Sequence, residues 1–300
     1  MCKKALMLFA LLLGFTVSAC AQQADKNVAQ QEPRKFVLEN TEIIPIHSKH
    51  TSRDHELVIV YPSSYKTQPD KKYPVLYYLD AYWDTPLMTS LYGNLIYDNF
   101  VPEFIMVGLS YPQGKDYGKE RRIDYTITAM DDASGKADQF MAFIQKEVAP
   151  LIESKYRGQS TDRVLVGISL GGLFTLNAVY KAQDFFSGFV ALSPAVSWDN
   201  QALVKVDNDY AKTNKKLQGR LFLSYGTAEF PAFRDPIINF QKVLSERHYQ
   251  GLELQNYVMQ DLDHVTVKGE GFVRGLIWVW KPKKPAGPSG LERELTQQKP

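Results

Sequence analysis

Val164-Leu165-Val166-Gly167-Ile168-Ser169-Leu170-Gly171-Gly172-Leu173 runs from an unbroken apolar stretch, through a serine flanked by glycines, into residues with helical spacing. The sequence predicts a buried strand over Arg163–Ile168, a tight turn at Ser169 and a helix over Gly171–Ala182. A serine hydroxyl is a poor nucleophile until a sharp strand-to-helix turn holds it exposed beside a base. Glycines on either side let the backbone pack closely enough to make that turn. The helix N-terminus that follows also favours developing negative charge.

Outward from this turn, apolar strand-like runs alternate with helical ones. Phe36–Ile44 and Glu56–Tyr61 are expected to open the fold as an antiparallel pair. Pro74–Asp80, Phe104–Leu109, Gly188–Leu192, Leu221–Tyr225 and Leu252–Met259 are expected as further strands. Helical spacing marks Ala137–Tyr156, with Pro150 placed to bend it, then Pro236–Arg247 and about Thr266–Trp280. Apolar strands without polar alternation imply a sheet covered on both faces. Strand–helix alternation implies mostly parallel pairing.

A nucleophilic serine needs a base, an acid to orient it, and donors for the oxyanion. In strand–turn–helix serine enzymes the order along the chain is serine, acid, histidine. Of five histidines, His47, His50 and His55 precede the serine, and His248 sits beside Arg247 late in a helix. His264, in the loop Leu262-Asp263-His264-Val265 after the last strand, is the candidate base. Glu229, just past the strand Leu221–Tyr225, is the candidate acid, with Asp235 its rival. The Leu170 N–H, directly after the serine, is expected to receive the oxyanion. The loop after Pro74–Asp80 is expected to supply the second donor. Tyr82, Trp83, Tyr111 and Trp198 follow strands and are candidate pocket walls, or equally packing residues. Arg122 is placed to meet an anionic substrate or to pair with Asp124.

The termini read differently from the middle. Lys3 and Lys4, the apolar run Ala5–Val17 and the small residues before Cys20 have the form of an export signal, too short to span a bilayer. Val17-Ser18-Ala19-Cys20 resembles a bacterial lipobox, which implies cleavage before Cys20, lipidation of that cysteine and a periplasmic or cell-surface protein tied to a membrane. The expected organisation is a signal over 1–19, a polar tether over 20–34, one domain over 35–280 and a disordered proline-rich tail over 281–300. Cys2 and Cys20 are the only cysteines, so the domain is expected to hold no disulfide, thiolate nucleophile or cysteine metal site. The formal charge of +2 falls to zero without Lys3 and Lys4, which argues against a nucleic-acid partner.

Several ordered stretches over roughly residues 55–270 resemble the esterase-D-like branch of the α/β-hydrolases, which includes siderophore (enterochelin) esterases, feruloyl esterases, formylglutathione hydrolases and mycolyltransferases. They are Tyr73 through Asp80, Arg122-Ile123-Asp124-Tyr125-Thr126, Phe140 through Tyr156, Gly167 through Leu173, Ser193-Pro194 and Asp263-His264. The resemblance implies an α/β-hydrolase fold: a mostly parallel central sheet with antiparallel N-terminal strands and helices on both faces. It implies a second oxyanion N–H from Tyr82, although Ala81 stands where the family usually has glycine, and it favours an acid after the penultimate strand, as Glu229 is. The function expected is cofactor-free, metal-free hydrolysis of a small-molecule carboxylic ester, siderophore-type or aromatic. An acyltransferase and a lipid-tethered binding protein without catalysis are the rivals.

Overall fold

The computed structural model describes residues 35–297. The leader, Cys20 and the whole tether lie outside the described residues. The chain divides at Glu39/Asn40 into two units, and the sheet lies in the second.

Eight strands form one sheet in the order β1-β2-β4-β3-β5-β6-β7-β8. They are β1 Thr41–Ser48, β2 Arg53–Val60, β3 Tyr73–Tyr78, β4 Ile105–Ser110, β5 Gly158–Ser169, β6 Gly188–Pro194, β7 Lys216–Gly226 and β8 Gln250–Met259. β1 pairs antiparallel with β2, and β2 with β4; all other pairings are parallel. Every residue of β3, β4 and β6 is buried, as expected of strands covered on both faces.

The helices are α1 Ala81–Tyr97, α2 Tyr117–Tyr125, α3 Ala137–Phe143, α4 Ala149–Lys155, α5 Leu170–Lys181, α6 Trp198–Thr213, α7 Pro231–Arg247, α8 Val267–Trp280 and α9 Gly290–Gln297. On one face Met88 and Leu95 of α1 and Leu276 and Trp280 of α8 pack against Val166, Val190 and Phe222 of the sheet. On the other, Phe140, Leu173, Leu203 and Ile237 bring α3, α5, α6 and α7 onto Val107, Leu165, Ala191 and Leu223. This is the α/β-hydrolase arrangement. Between β3 and β5 the strand order reverses, and open α/β sheets hold their ligands beyond the carboxyl ends of the strands at such a point.

Four expectations about elements change. The first strand starts at Thr41, not Phe36, because a turn occupies Glu39–Asn40 and Phe36 is 92% exposed. The helix expected over Ala137–Tyr156 is split by a π-helical turn at Ile144–Val148. Pro150, which has no N–H and would press on the carbonyl four residues earlier, then falls in the first turn of α4, where it is tolerated. α1, α2 and α6 were not foreseen. α1 carries Pro86, α2 is short and highly charged, and α6 begins with Asp199, Asn200 and Gln201 in left-handed backbone. The tail expected to be disordered is structured through Gln297. Ser289 Oγ receives the Glu292 N–H (3.2 Å), and Glu292 Oε2 receives the Ser289 N–H (2.6 Å), a reciprocal cap that starts α9. Lys283 pairs with buried Asp162 at 2.7 Å, and Asn99 Nδ2 donates to the carbonyls of Pro285 and Gly287.

Candidate active site

Ser169 is the last residue of β5 and the cap of α5, with φ 59° and ψ −122°. A non-glycine residue keeps such backbone only where its surroundings force it. Here a Cβ on Gly167 would sit 2.3 Å from the Gly171 carbonyl oxygen, and one on Gly172 2.9 Å from Pro194 Cα. The Ala195 N–H donates to the Ser169 carbonyl at 2.8 Å, fixing the turn against the end of β6. Leu170, the first residue of α5, has its N–H among those that a helix start leaves without a helical partner.

β3 lies beside β5, and its carboxyl end makes the neighbouring turn. Asp80 takes left-handed backbone (φ 56°) and caps α1, whose second residue is Tyr82. Ala81 is already helical, so the strained position is Asp80. A Cβ on Gly108 of β4 would stand 2.5 Å from Ala81 Cβ, so the bare glycine opposite leaves room for that methyl. Two helix N-termini, carrying the Leu170 and Tyr82 amides, thus open at the carboxyl ends of adjacent strands and favour negative charge there.

Glu229 follows β7 and is 2% exposed. His264 follows β8, and its Nδ1 lies 3.0 Å from Glu229 Oε1. Toward a carboxylate Nδ1 is the donor, which leaves Nε2 bare to take a proton. The two turns are locked together: Ala228 N–H donates to the Leu262 carbonyl, Thr227 N–H to that of Met259, and Asp261 N–H to Thr227 Oγ1. Phe233 of α7 meets the imidazole edge-on at 4.5 Å. No hydrogen bond joins Ser169 Oγ to His264 among the described residues. Such links are often long without substrate and tighten when it binds.

The other candidates separate. Trp83 is 57% exposed on the first turn of α1, beside Tyr82 (ring centroids 4.5 Å). Arg122 pairs with Asp131 and the Ala133 carbonyl and lies 5.1 Å over Trp198, not beside Asp124, which Arg53 takes instead. Tyr111 is fully buried against His55 and so is core rather than pocket wall. Trp198 is half-buried, its Nε1 donating to Thr128 Oγ1 at 3.1 Å. Asp235 is exposed on α7, paired with Arg234. Among the described residues no cluster of His, Cys, Asp or Glu side chains could hold a metal, and no helix is long and apolar enough to cross a membrane.

Two charged pairs at the site were not foreseen. Arg121 grips buried Asp80 with two bonds (2.8 and 2.9 Å), and the same guanidinium reaches the Ile168 carbonyl at 3.5 Å. Lys268 reaches Asp84 on the first turn of α1. Arg121 adjoins the candidate Arg122, and only the phase of α2, a helix not foreseen, tells the two arginines apart.

A family model described as a putative esterase matches residues 48–269. Ferri-bacillibactin esterase BesA of Bacillus subtilis (strain 168) is 26% identical over 196 residues, spanning 60% of this chain and 67% of the relative. The crystal structure of an IroE-like serine hydrolase from Shewanella oneidensis is 25% identical, with a TM-score of 0.72 over 80% of each chain. Siderophore hydrolase EstB of Aspergillus nidulans shares the fold with a TM-score of 0.70 at 20% identity, over 85% of this chain and 100% of that one. The chain therefore belongs to the putative esterase family, has the α/β-hydrolase fold, and is an esterase.

Proposed function

We propose that this esterase hydrolyses carboxylic esters through Ser169, His264 and Glu229, and that its substrates are siderophore-type lactones or aromatic acyl esters. The observation that carries the mechanism is the 3.0 Å contact of His264 Nδ1 with buried Glu229, at the same sheet edge as a serine in strained strand-to-helix backbone. Ser169 Oγ attacks the ester carbonyl while its proton passes to His264 Nε2. The Leu170 and Tyr82 amides receive the developing oxyanion. The acyl–oxygen bond breaks, and His264 returns the proton to the leaving alkoxide, which departs as an alcohol. Water then attacks the acyl-serine and gives its proton to His264. The acid leaves, and Ser169 takes the proton back. Glu229 holds the imidazole in the donating tautomer and offsets its charge.

Support for the substrate class comes from the relatives, one named a ferri-bacillibactin esterase and another a siderophore hydrolase, and from Trp83 exposed beside the oxyanion turn. We further propose that Cys20 carries a lipid anchor and that the enzyme is periplasmic or cell-surface. That segment lies outside the described residues, and the proposal rests on sequence: Lys3 and Lys4, the apolar run Ala5–Val17 and the stretch Val17-Ser18-Ala19-Cys20.

The test is a panel of short-chain, feruloyl and catecholate-trilactone esters given to the parent and to Ser169→Ala. The parent is expected to cleave at least one, with the trilactone or feruloyl ester preferred, and to be labelled at Ser169 by a serine-directed phosphonate. Ser169→Ala is expected to lose both cleavage and label while melting within about 1 kcal/mol of the parent. Parental turnover by Ser169→Ala would place the nucleophile elsewhere. A parent that neither cleaves nor labels would favour a binding protein.

A further inference from the structure

Asp84 lies on the first turn of α1, two residues beyond Tyr82, and is 3% exposed. Lys268 lies on the first turn of α8, four residues beyond His264, with its side chain 15% exposed. Lys268 Nζ donates to Asp84 Oδ1 at 2.5 Å, joining positions 184 residues apart. Burial, the largest cause, outweighs the pull of Lys268 and Arg121 and, with the Asp80 charge, leaves the Asp84 carboxyl raised to about 6. Taking two charges out of water costs about what their attraction returns, so such a pair adds little net stability. Its effect is geometric, because it fixes the spacing of the two elements it joins.

Those elements carry the two halves of the proposed chemistry. α1 presents the Tyr82 amide, and the turn leading into α8 presents His264. We propose that Lys268 is a positioning residue, whose ion pair with Asp84 ties the first turn of α1 to the first turn of α8 and sets the Tyr82 N–H relative to the His264 imidazole. A second contact runs the same way. Lys268 Nζ stands 5.8 Å from the centre of the Trp83 ring, while Arg121 stands 5.9 Å from it. The turn that holds the Tyr82 amide is thus gripped by Arg121 and by Lys268. The Arg121 grip ties it to α2 and the serine turn, and the Lys268 grip ties it to the histidine side. The inference rests on the assignment of Tyr82 and His264 above. It does not require Lys268 to touch the ester.

The experiment measures kcat and KM on p-nitrophenyl butyrate, with thermal melts, for the parent, Ser169→Ala, Lys268→Met, Lys268→Arg, Asp84→Asn and the Lys268→Met/Asp84→Asn double variant. A misplacement of about 1 Å costs roughly a hundredfold in rate. Lys268→Met and Asp84→Asn are therefore each expected to lower kcat about tenfold to a hundredfold, with KM within about twofold of the parent. The double variant is expected to be no worse than either single change, since one contact is lost in all three. Lys268→Arg keeps the charge and is expected to recover most of the rate. A folded Lys268→Met with parental kcat would overturn the proposal. So would a loss confined to KM, which would make Lys268 a substrate contact. Should Lys268→Met fail to fold, the nearly isosteric Asp84→Asn decides alone by the same criteria. Activity surviving in Ser169→Ala would instead sink the serine mechanism, so the two failures are distinguishable.

Discussion

Glu229→Gln isolates the charge behind the imidazole with almost no change of shape. The carboxylate is 2% exposed, its Oε1 faces His264 Nδ1 at 3.0 Å, and its Oε2 has no hydrogen-bond partner among the described residues. A glutamine can keep its carbonyl oxygen toward Nδ1, so the donating tautomer survives. What disappears is the attraction between the carboxylate and the imidazolium that forms as the serine proton moves. Opposite charges about 4 Å apart gain about 4 kcal/mol at an effective dielectric of about 20, roughly a thousandfold in rate. The His264 side chain is one-third exposed, and solvent screening reduces that figure. We therefore expect Glu229→Gln to lower kcat/KM on a soluble ester by roughly 10²–10³, less than the loss of about 10⁴ seen when neutralising a triad acid also imposes the wrong tautomer. The thermal melt should stay close to the parent's, because a buried charge with an unpaired oxygen is removed rather than created. Asp235→Asn, on an exposed α7 side chain paired with Arg234, should leave kcat/KM within about twofold. If Glu229→Gln keeps parental turnover while Asp235→Asn collapses, the acid has been assigned to the wrong residue.

Two further outcomes concern regions away from the reaction. His55 is 1% exposed and stacked on Phe143 at 4.5 Å; burial first, and the Arg53 charge second, hold its imidazole down to about 3. The folded value lies below the unfolded one, so the unfolded chain binds the extra proton. Stability should then fall as pH drops from about 6.5 toward 3, by on the order of 3 kcal/mol at pH 4. His55→Gln should flatten the melting temperature against pH in that window, and an unchanged slope would mean that another group titrates. For Cys20, mass spectrometry of protein from its native membrane should find a diacylglyceryl N-terminus there; an unmodified N-terminus at Ala21 or beyond would refute lipidation. Two or three acyl chains would anchor the protein stably, where one would not.

The inner strands of the sheet were legible because β3, β4 and β6 are short apolar runs bounded by turns, and burial on both faces leaves no other use for such runs. The placing of Ser169, Glu229 and His264 at one edge was legible because Ser169 ends β5 and the other two lie a few residues past the ends of β7 and β8. The helices that escaped detection carry their information in three dimensions. α6 has Leu203 and Asp207 as its buried residues, too few to give a periodic signal. α9 has no apolar face toward the core, with Leu291 and Leu295 more than half exposed. Its start is nevertheless written in Ser289-Gly290-Leu291-Glu292, a capping pattern set among prolines. The Asp80–Arg121 and Asp84–Lys268 pairs join residues 41 and 184 positions apart. No local pattern encodes such distances. Trp198 and Tyr111 stand out by residue type after strands and Arg122 by its charge beside Asp124, and only packing shows that Arg122 stacks on Trp198 while Tyr111 is sealed inside.

The two edges of the sheet meet different demands. At the amino-terminal edge the chain spends its polar contacts on closure: Lys283 on Asp162, Asn99 on the tail carbonyls, Arg157 on the carbonyls of Tyr65, Gln68 and Pro69. At the carboxyl edge, the ends of three consecutive strands in the sheet, β3, β5 and β6, carry non-glycine residues with positive φ: Asp80 (56°), Ser169 (59°) and Ser193 (38°). Each costs of order 1–3 kcal/mol and persists only where neighbours over-determine it. The neighbours doing so are the Arg121 grip on Asp80, the close approach of Gly167 to Gly171, and Pro194 against Gly172. Strain at two of these positions brings the starts of α1 and α5 to the same end of adjacent strands, which in the proposed mechanism aims two helix N-termini where an ester carbonyl would gain charge. A relaxed backbone at Asp80 or Ser169 would release the strain but turn those amides away. On this view, variants that relax either turn should gain thermal stability while losing turnover.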